Sequence, residues 1–150
     1  MPRILVVDDE EAVRTLFELI LRRDGHHVEL AENGQAGVDA VSDTPFDIAF
    51  VDLLMPGKDG MRTIAEIRRI APLLPVVAMS GMSPTHEMAA AETPTAVQKP
   101  ATPSAIYWLH KPFKPSELLE AVQACVEREK RQIGRDDTTS ADRHQAGGMR

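Results

Sequence analysis

The stretch RILVVDDE, residues 3–10, decides the fold: a short unbroken apolar run, Ile4 to Val7, stops at two acids, Asp8 and Asp9. A run this short and this continuous reads as a β-strand covered on both faces, which implies a parallel sheet. Working outward, Glu10 to Arg23 places Val13, Leu16, Phe17 and Ile20 on one helical face, with acids in the first turn and arginines in the last to complement the helix dipole. Gly25 then ends that helix.

The alternation repeats down the chain. Strands are expected at Val28–Ala31, Asp47–Val51, Leu74–Met79 and Ala105–Leu109, and helices at Gln35–Val41, Met61–Ile70 and Pro115–Glu129. The last helix buries Leu118, Val122 and either Cys125 or Val126. Five strands alternating with helices make a doubly wound, flavodoxin-like α/β domain: a five-stranded parallel sheet with helices on both faces. In such a sheet ligands bind beyond the carboxyl ends of the strands. The expected domain spans residues 1–130, with an atypical proline-rich segment at 82–104. Residues 131–150 hold little large apolar surface and read as a disordered tail.

A chain of 150 residues suits one domain, and 43% hydrophobic with 27% charged residues is an ordinary globular balance. The net charge of -6 and the lack of a basic stripe argue against direct nucleic-acid binding and against anionic membranes. No apolar run is long enough to span a bilayer. A single cysteine, Cys125, excludes an internal disulfide, and without a secretory pattern at the N-terminus the expected location is cytoplasmic. The five histidines share no ligand spacing, so packing or solvent-exposed roles are expected for them.

Three carboxylates fall where the fold puts a site: Asp8 and Asp9 after the first strand, Asp52 after the third. Carboxylates gathered in one crevice repel unless a proton or hard cation offsets them, and oxygen donors of this kind suit magnesium. Ser80, after the fourth strand, offers a hydroxyl to a bound anion. Lys111, after the fifth, offers a mobile positive charge. Each residue also has a plainer explanation. Adjacent acids favour helix starts, an aspartate before MPGKDG suits a turn, Ser80 can cap a helix, Lys111 can be an ordinary surface lysine, and Trp108, three positions before it, can be core.

Together, ILVVDDE, VDLLMPGKDG, VVAMSG and WLHKPF, in that order at four strand ends, resemble the response-regulator receiver family over roughly residues 3 to 130. The resemblance implies that Asp52 is the phosphoacceptor. It also implies that Asp9 binds magnesium directly, Asp8 through water, and the backbone carbonyl of Leu54 directly. Ser80 and Lys111 would hold the phosphoryl oxygens, and Trp108 occupies the position of an aromatic that turns inward on phosphorylation. The donor would be a sensor histidine kinase or a histidine phosphotransfer protein, and the output a downstream protein or a homodimer. On this reading the protein is a stand-alone switch, not an enzyme beyond the making and slow loss of its own acyl phosphate. Leu54 and Met82 are apolar where many fast-hydrolysing members carry polar groups, so neither side chain can orient an attacking water.

The segment between Ser80 and Lys111 is longer than is usual in the family, so the alternative is a pseudo-receiver that binds partners without phosphorylation. A second lysine-proline pair, Lys99 and Pro100, competes with Lys111, but the apolar strand before Lys111 and the helix after Pro112 favour the latter. A phosphatase or flavin protein on a similar sheet is the remaining rival. It lacks support from a second DxD-type pair or a glycine-rich phosphate loop.

Overall fold

The computed structural model describes residues 2–55, 60–80, 97–98 and 107–128. Strand β1 (Arg3–Val7) leads into helix α1 (Glu11–Arg23), and β2 (His27–Ala31) into α2 (Gly34–Asp43). Next come β3 (Ile48–Asp52), α3 (Gly60–Ile70) and β4 (Val76–Ser80). A two-residue β5 (Val97–Gln98) precedes β6 (Tyr107–His110), and residues 115–128 form the last helix, α4. The segment 82–104 lies outside the described residues apart from β5, and the expected tail at 131–150 lies wholly outside them.

The sheet runs β2-β1-β3-β4-β6-β5. Its first five strands are parallel, as expected. The short β5 was not foreseen; it pairs antiparallel with β6, setting Val97 against Leu109 and Gln98 against Trp108. Because β1 is flanked by β2 on one side and β3 on the other, the winding reverses between β1 and β3. That reversal opens the crevice in which a doubly wound sheet builds its site.

Both faces of the sheet are covered, which explains the unbroken apolar runs. Ile4 and Val6 face α1 and α4 and pack with Phe17, Phe50, Leu109 and Leu118. Leu5 and Val7 face α2 and α3 and pack with Val51, Ile64, Ile67 and Ala78. Each large side chain so buried contributes about 1.5–3 kcal/mol. Phe17 sits edge-on to both Phe50 and Phe113, with ring centroids 5.2 Å apart in each pair.

Local signals largely operate as read. Gly25 has φ 91°, and the N–H groups of Gly25 and His26 return to the carbonyls of Arg22 and Leu21, closing α1 with a Schellman turn. The α1 face is rotated from expectation: Leu21 is fully buried, whereas Leu16 is 43% exposed. On α4 the choice between neighbours resolves to Cys125, which is buried with Leu118, Ala121 and Val122. Burial pushes its thiol up to about 12, so Cys125 is an inert core residue.

Candidate functional site

The carboxyl ends of β1, β3, β4 and β6 meet at one edge of the domain. Parallel pairing sets Val7 beside Val51, Asp52 beside Met79, and Ser80 beside His110, so the residues that follow are delivered to the same place. Asp8 leaves β1 fully buried, Asp9 and Glu10 leave it exposed, and Asp52 ends β3 at 3% exposure.

Two buried carboxylates this close need a counter-charge, and Lys111 supplies it. Its Nζ donates to Asp8 Oδ2 at 2.8 Å and to Asp52 Oδ2 at 3.3 Å. Burial works to lower the pKa of this ammonium, but the hydrogen bond and charge of Asp8, with those of Asp52, outweigh it and hold the value above the ordinary lysine range. At Asp52 burial wins: its carboxyl lies above the usual carboxylate range although the Leu54 N–H and Lys111 pull it down, and the charge of Asp8 adds to the rise.

Asp8 is gripped at every polar group. Its N–H donates to Ala31 O at 3.1 Å, continuing the β1–β2 ladder, and its Oδ1 accepts from the Glu10 N–H at 2.9 Å. Its Oδ2 accepts from Lys111, and its carbonyl accepts from Arg14 Nη1 at 2.7 Å. On the neighbouring strand the Leu54 N–H donates to Asp52 Oδ1 at 3.1 Å, turning the chain back over the carboxylate. Gly60 lets that turn close: a Cβ there would lie 2.2 Å from the carbonyl oxygen of Asp52.

Asp8, Asp9 and Glu10 each offer a carboxylate oxygen, and these atoms lie within 4.8 Å of one another. An all-oxygen cluster of this kind fits a hard divalent cation. Glu10 and Arg14 were missed in the sequence, where both read as ordinary residues of the first helix. Their signal was available: Glu10 continues the acidic pair, and Arg14 is a cation near a helix N-terminus, where the dipole disfavours one.

Ser80 is half-buried at the end of β4, and its carbonyl accepts the Lys111 N–H at 2.8 Å. The Lys111–Pro112 peptide bond is cis. Trp108 is half-buried against the α2 and α3 side of the core, while Tyr107 beside it faces α4, where Arg128 lies over its ring at 5.7 Å.

Residues 4–123 match the response regulator receiver domain. The chain belongs to that family. Receiver-domain proteins of two-component systems similar to it include response regulator MprA of Mycolicibacterium vanbaalenii, 31% identical over 126 residues, covering 84% of this chain and 51% of that protein. Response regulator ArlR of Staphylococcus epidermidis is 27% identical over 129 residues, covering 86% of this chain and 54% of that protein. The receiver chain thus spans about half the length of the curated relatives it matches. Among solved structures, NtrX from Brucella abortus superposes with a TM-score of 0.76 at 28% identity, over 92% of this chain and 30% of that one. The Vibrio cholerae chemotaxis protein CheY4 shares the fold with a TM-score of 0.68 at 24% identity, over 82% of this chain and 97% of that one. Among the receiver's described residues no helix is long and apolar enough to cross a membrane.

Proposed function

We propose that this receiver is a cytoplasmic phosphorylation switch in which Asp52 accepts a phosphoryl group from a phosphohistidine on a sensor histidine kinase or histidine phosphotransfer protein. The observation that carries the reading is the Lys111 ammonium shared between the buried carboxylates of Asp8 and Asp52. A buried ion pair by itself is a weak device for stability, whereas an ammonium on a flexible stem, already within reach of Asp52, can turn to a charge added there.

In the transfer a carboxylate oxygen of Asp52 attacks phosphorus in line, the P–N bond breaks, and the imidazole nitrogen keeps the bonding pair. The product is an acyl phosphate. Lys111 and the Leu54 N–H keep the Asp52 carboxylate ionised and oriented before attack. Lys111 then neutralises phosphoryl oxygens, and the Ser80 hydroxyl donates to another. Asp8, Asp9, Asp52 and the backbone carbonyl of Leu54 would hold a magnesium ion, which when bound offsets charge on those oxygens. Trp108 filling the space left as Ser80 moves would carry the change to the surface. Output is then through altered protein contacts, with a downstream protein or a second copy, and the domain's own chemistry is confined to making and losing its acyl phosphate. One similar protein is named transcriptional regulatory protein AfsQ1, of Streptomyces coelicolor, matching 80 residues at 35% identity, 53% of this chain and 35% of that protein. With a net charge of -6, we assign no nucleic-acid contact to the receiver itself.

Incubation of the full chain with magnesium and a small acyl-phosphate donor, read by intact mass, tests this. Wild type should gain one phosphoryl group and Asp52→Asn none. Wild type that stays unmodified would establish the pseudo-receiver reading, an interaction module that is not phosphorylated.

A further inference from the structure

We infer that Arg14 is a positioning residue for the cation site, acting through the peptide that joins Asp8 to Asp9; the inference rests on the metal-binding role proposed above. Arg14 lies in the first turns of α1, and side chains there lean back toward the N-terminus over the chain that precedes the helix. That direction brings Nη1 to 2.7 Å from the carbonyl oxygen of Asp8, across six positions of sequence.

The placement runs against the ordinary preference for acids at a helix start. Its compensation is local: the guanidinium faces a carbonyl of the segment Asp8–Glu10, whose three carboxylates precede the helix. The carbonyl it holds belongs to the Asp8–Asp9 peptide. Asp8 is already fastened by Ala31, Glu10 and Lys111, so the remaining freedom at this junction is rotation of the peptide plane that aims Asp9. Arg14 removes that freedom. Asp9 is exposed, and Arg14 lends it the rigidity that burial lends Asp8.

Positioning and simple electrostatics predict opposite signs. A positive charge beside an acidic cluster repels a cation, so deleting it would tighten magnesium binding if charge were all that mattered. A residue that orients ligands from the outer shell weakens binding about 10–100-fold when removed.

The test is a calorimetric magnesium titration of the full chain as wild type, Arg14→Met, Arg14→Lys and Asp9→Asn, with melting curves in chelator confirming that each is folded. Arg14→Met should raise the magnesium Kd at least about tenfold. Arg14→Lys, which keeps the charge but not the planar donor fork, should fall between it and wild type. Arg14→Met binding magnesium as tightly as wild type, or more tightly, overturns the inference while the phosphoacceptor reading stands. If Arg14→Met does not fold, Arg14→Lys with a wild-type Kd overturns it equally. Wild type with no binding heat, indistinguishable from Asp9→Asn, overturns the cation site and this inference with it.

Discussion

Gly60→Ala should damage both the stability of the domain and the reactivity of Asp52, because the two share one backbone contact. The added methyl would lie 2.2 Å from the carbonyl oxygen of Asp52 and 2.4 Å from Cα of Leu53. Nonbonded carbon contacts settle near about 3.5 Å, so roughly 1 Å must open between α3 and the end of β3. These are main-chain atoms and no rotamer change can yield. Overpacking of this kind costs about 1–3 kcal/mol. In a domain this size each kcal/mol lowers Tm by roughly 2–4 °C. A displacement of about 1 Å at a reacting group costs on the order of 100-fold in rate. Gly37→Ala is the comparison: its methyl would meet Cγ2 of buried Val7 at 2.7 Å and Cγ1 at 3.3 Å, so it too must cost stability, but it touches no main-chain atom of Asp52 and should spare the labelling rate. Alanine there also recovers about 1 kcal/mol of helix propensity. Circular-dichroism melts and the initial rate of labelling by a small phosphodonor, read by intact mass, measure the two effects. Gly60→Ala that melts and labels like wild type would refute the reasoning.

Asp52→Asn should raise Tm at neutral pH in metal-free protein, with the gain shrinking as pH falls. Burial raises the folded-state pKa of Asp52 above its unfolded value, so the penalty for ionising it is absent below about pH 4 and grows as pH rises through the folded value. Melts of both proteins across that range in chelator check it, and a gain that grows toward acid pH contradicts the assignment. Phosphorylated wild type should lose its group slowly, because the side chain of Leu54, 57% exposed two positions beyond Asp52, has no polar atom to orient water. Replacing it by a polar residue, Leu54→Asn, should shorten the lifetime severalfold, and a half-life of seconds in the purified wild type argues against the idea.

The strands were legible because a parallel sheet covered on both faces leaves only continuous apolar runs, as at Ile4–Val7 and Ile48–Val51. Boundaries slipped where local chemistry intervened: Asp52 and Ser80 join their strands, and Pro75 delays the start of β4 to Val76. The α1 face was misjudged by one neighbour, since Leu16 and Leu21 both fit an apolar stripe and only the docking angle on the sheet chooses Leu21. Strand β5 was invisible, because two residues carry no period and their pairing is decided by β6. At the site, Asp8, Asp52 and Lys111 were legible as charges at strand ends. Arg14 was not, because its contact is with a carbonyl, a group every residue has.

The Lys111 bridge has a consequence for biosynthesis. It spans 103 positions to Asp8 and 59 to Asp52, so the counter-charge of the two buried acids arrives only after nearly the whole domain has left the ribosome. A nascent or truncated chain carries the acids but not the ammonium. Competence for the proposed phosphotransfer is therefore granted last, and only to molecules in which β6 has docked.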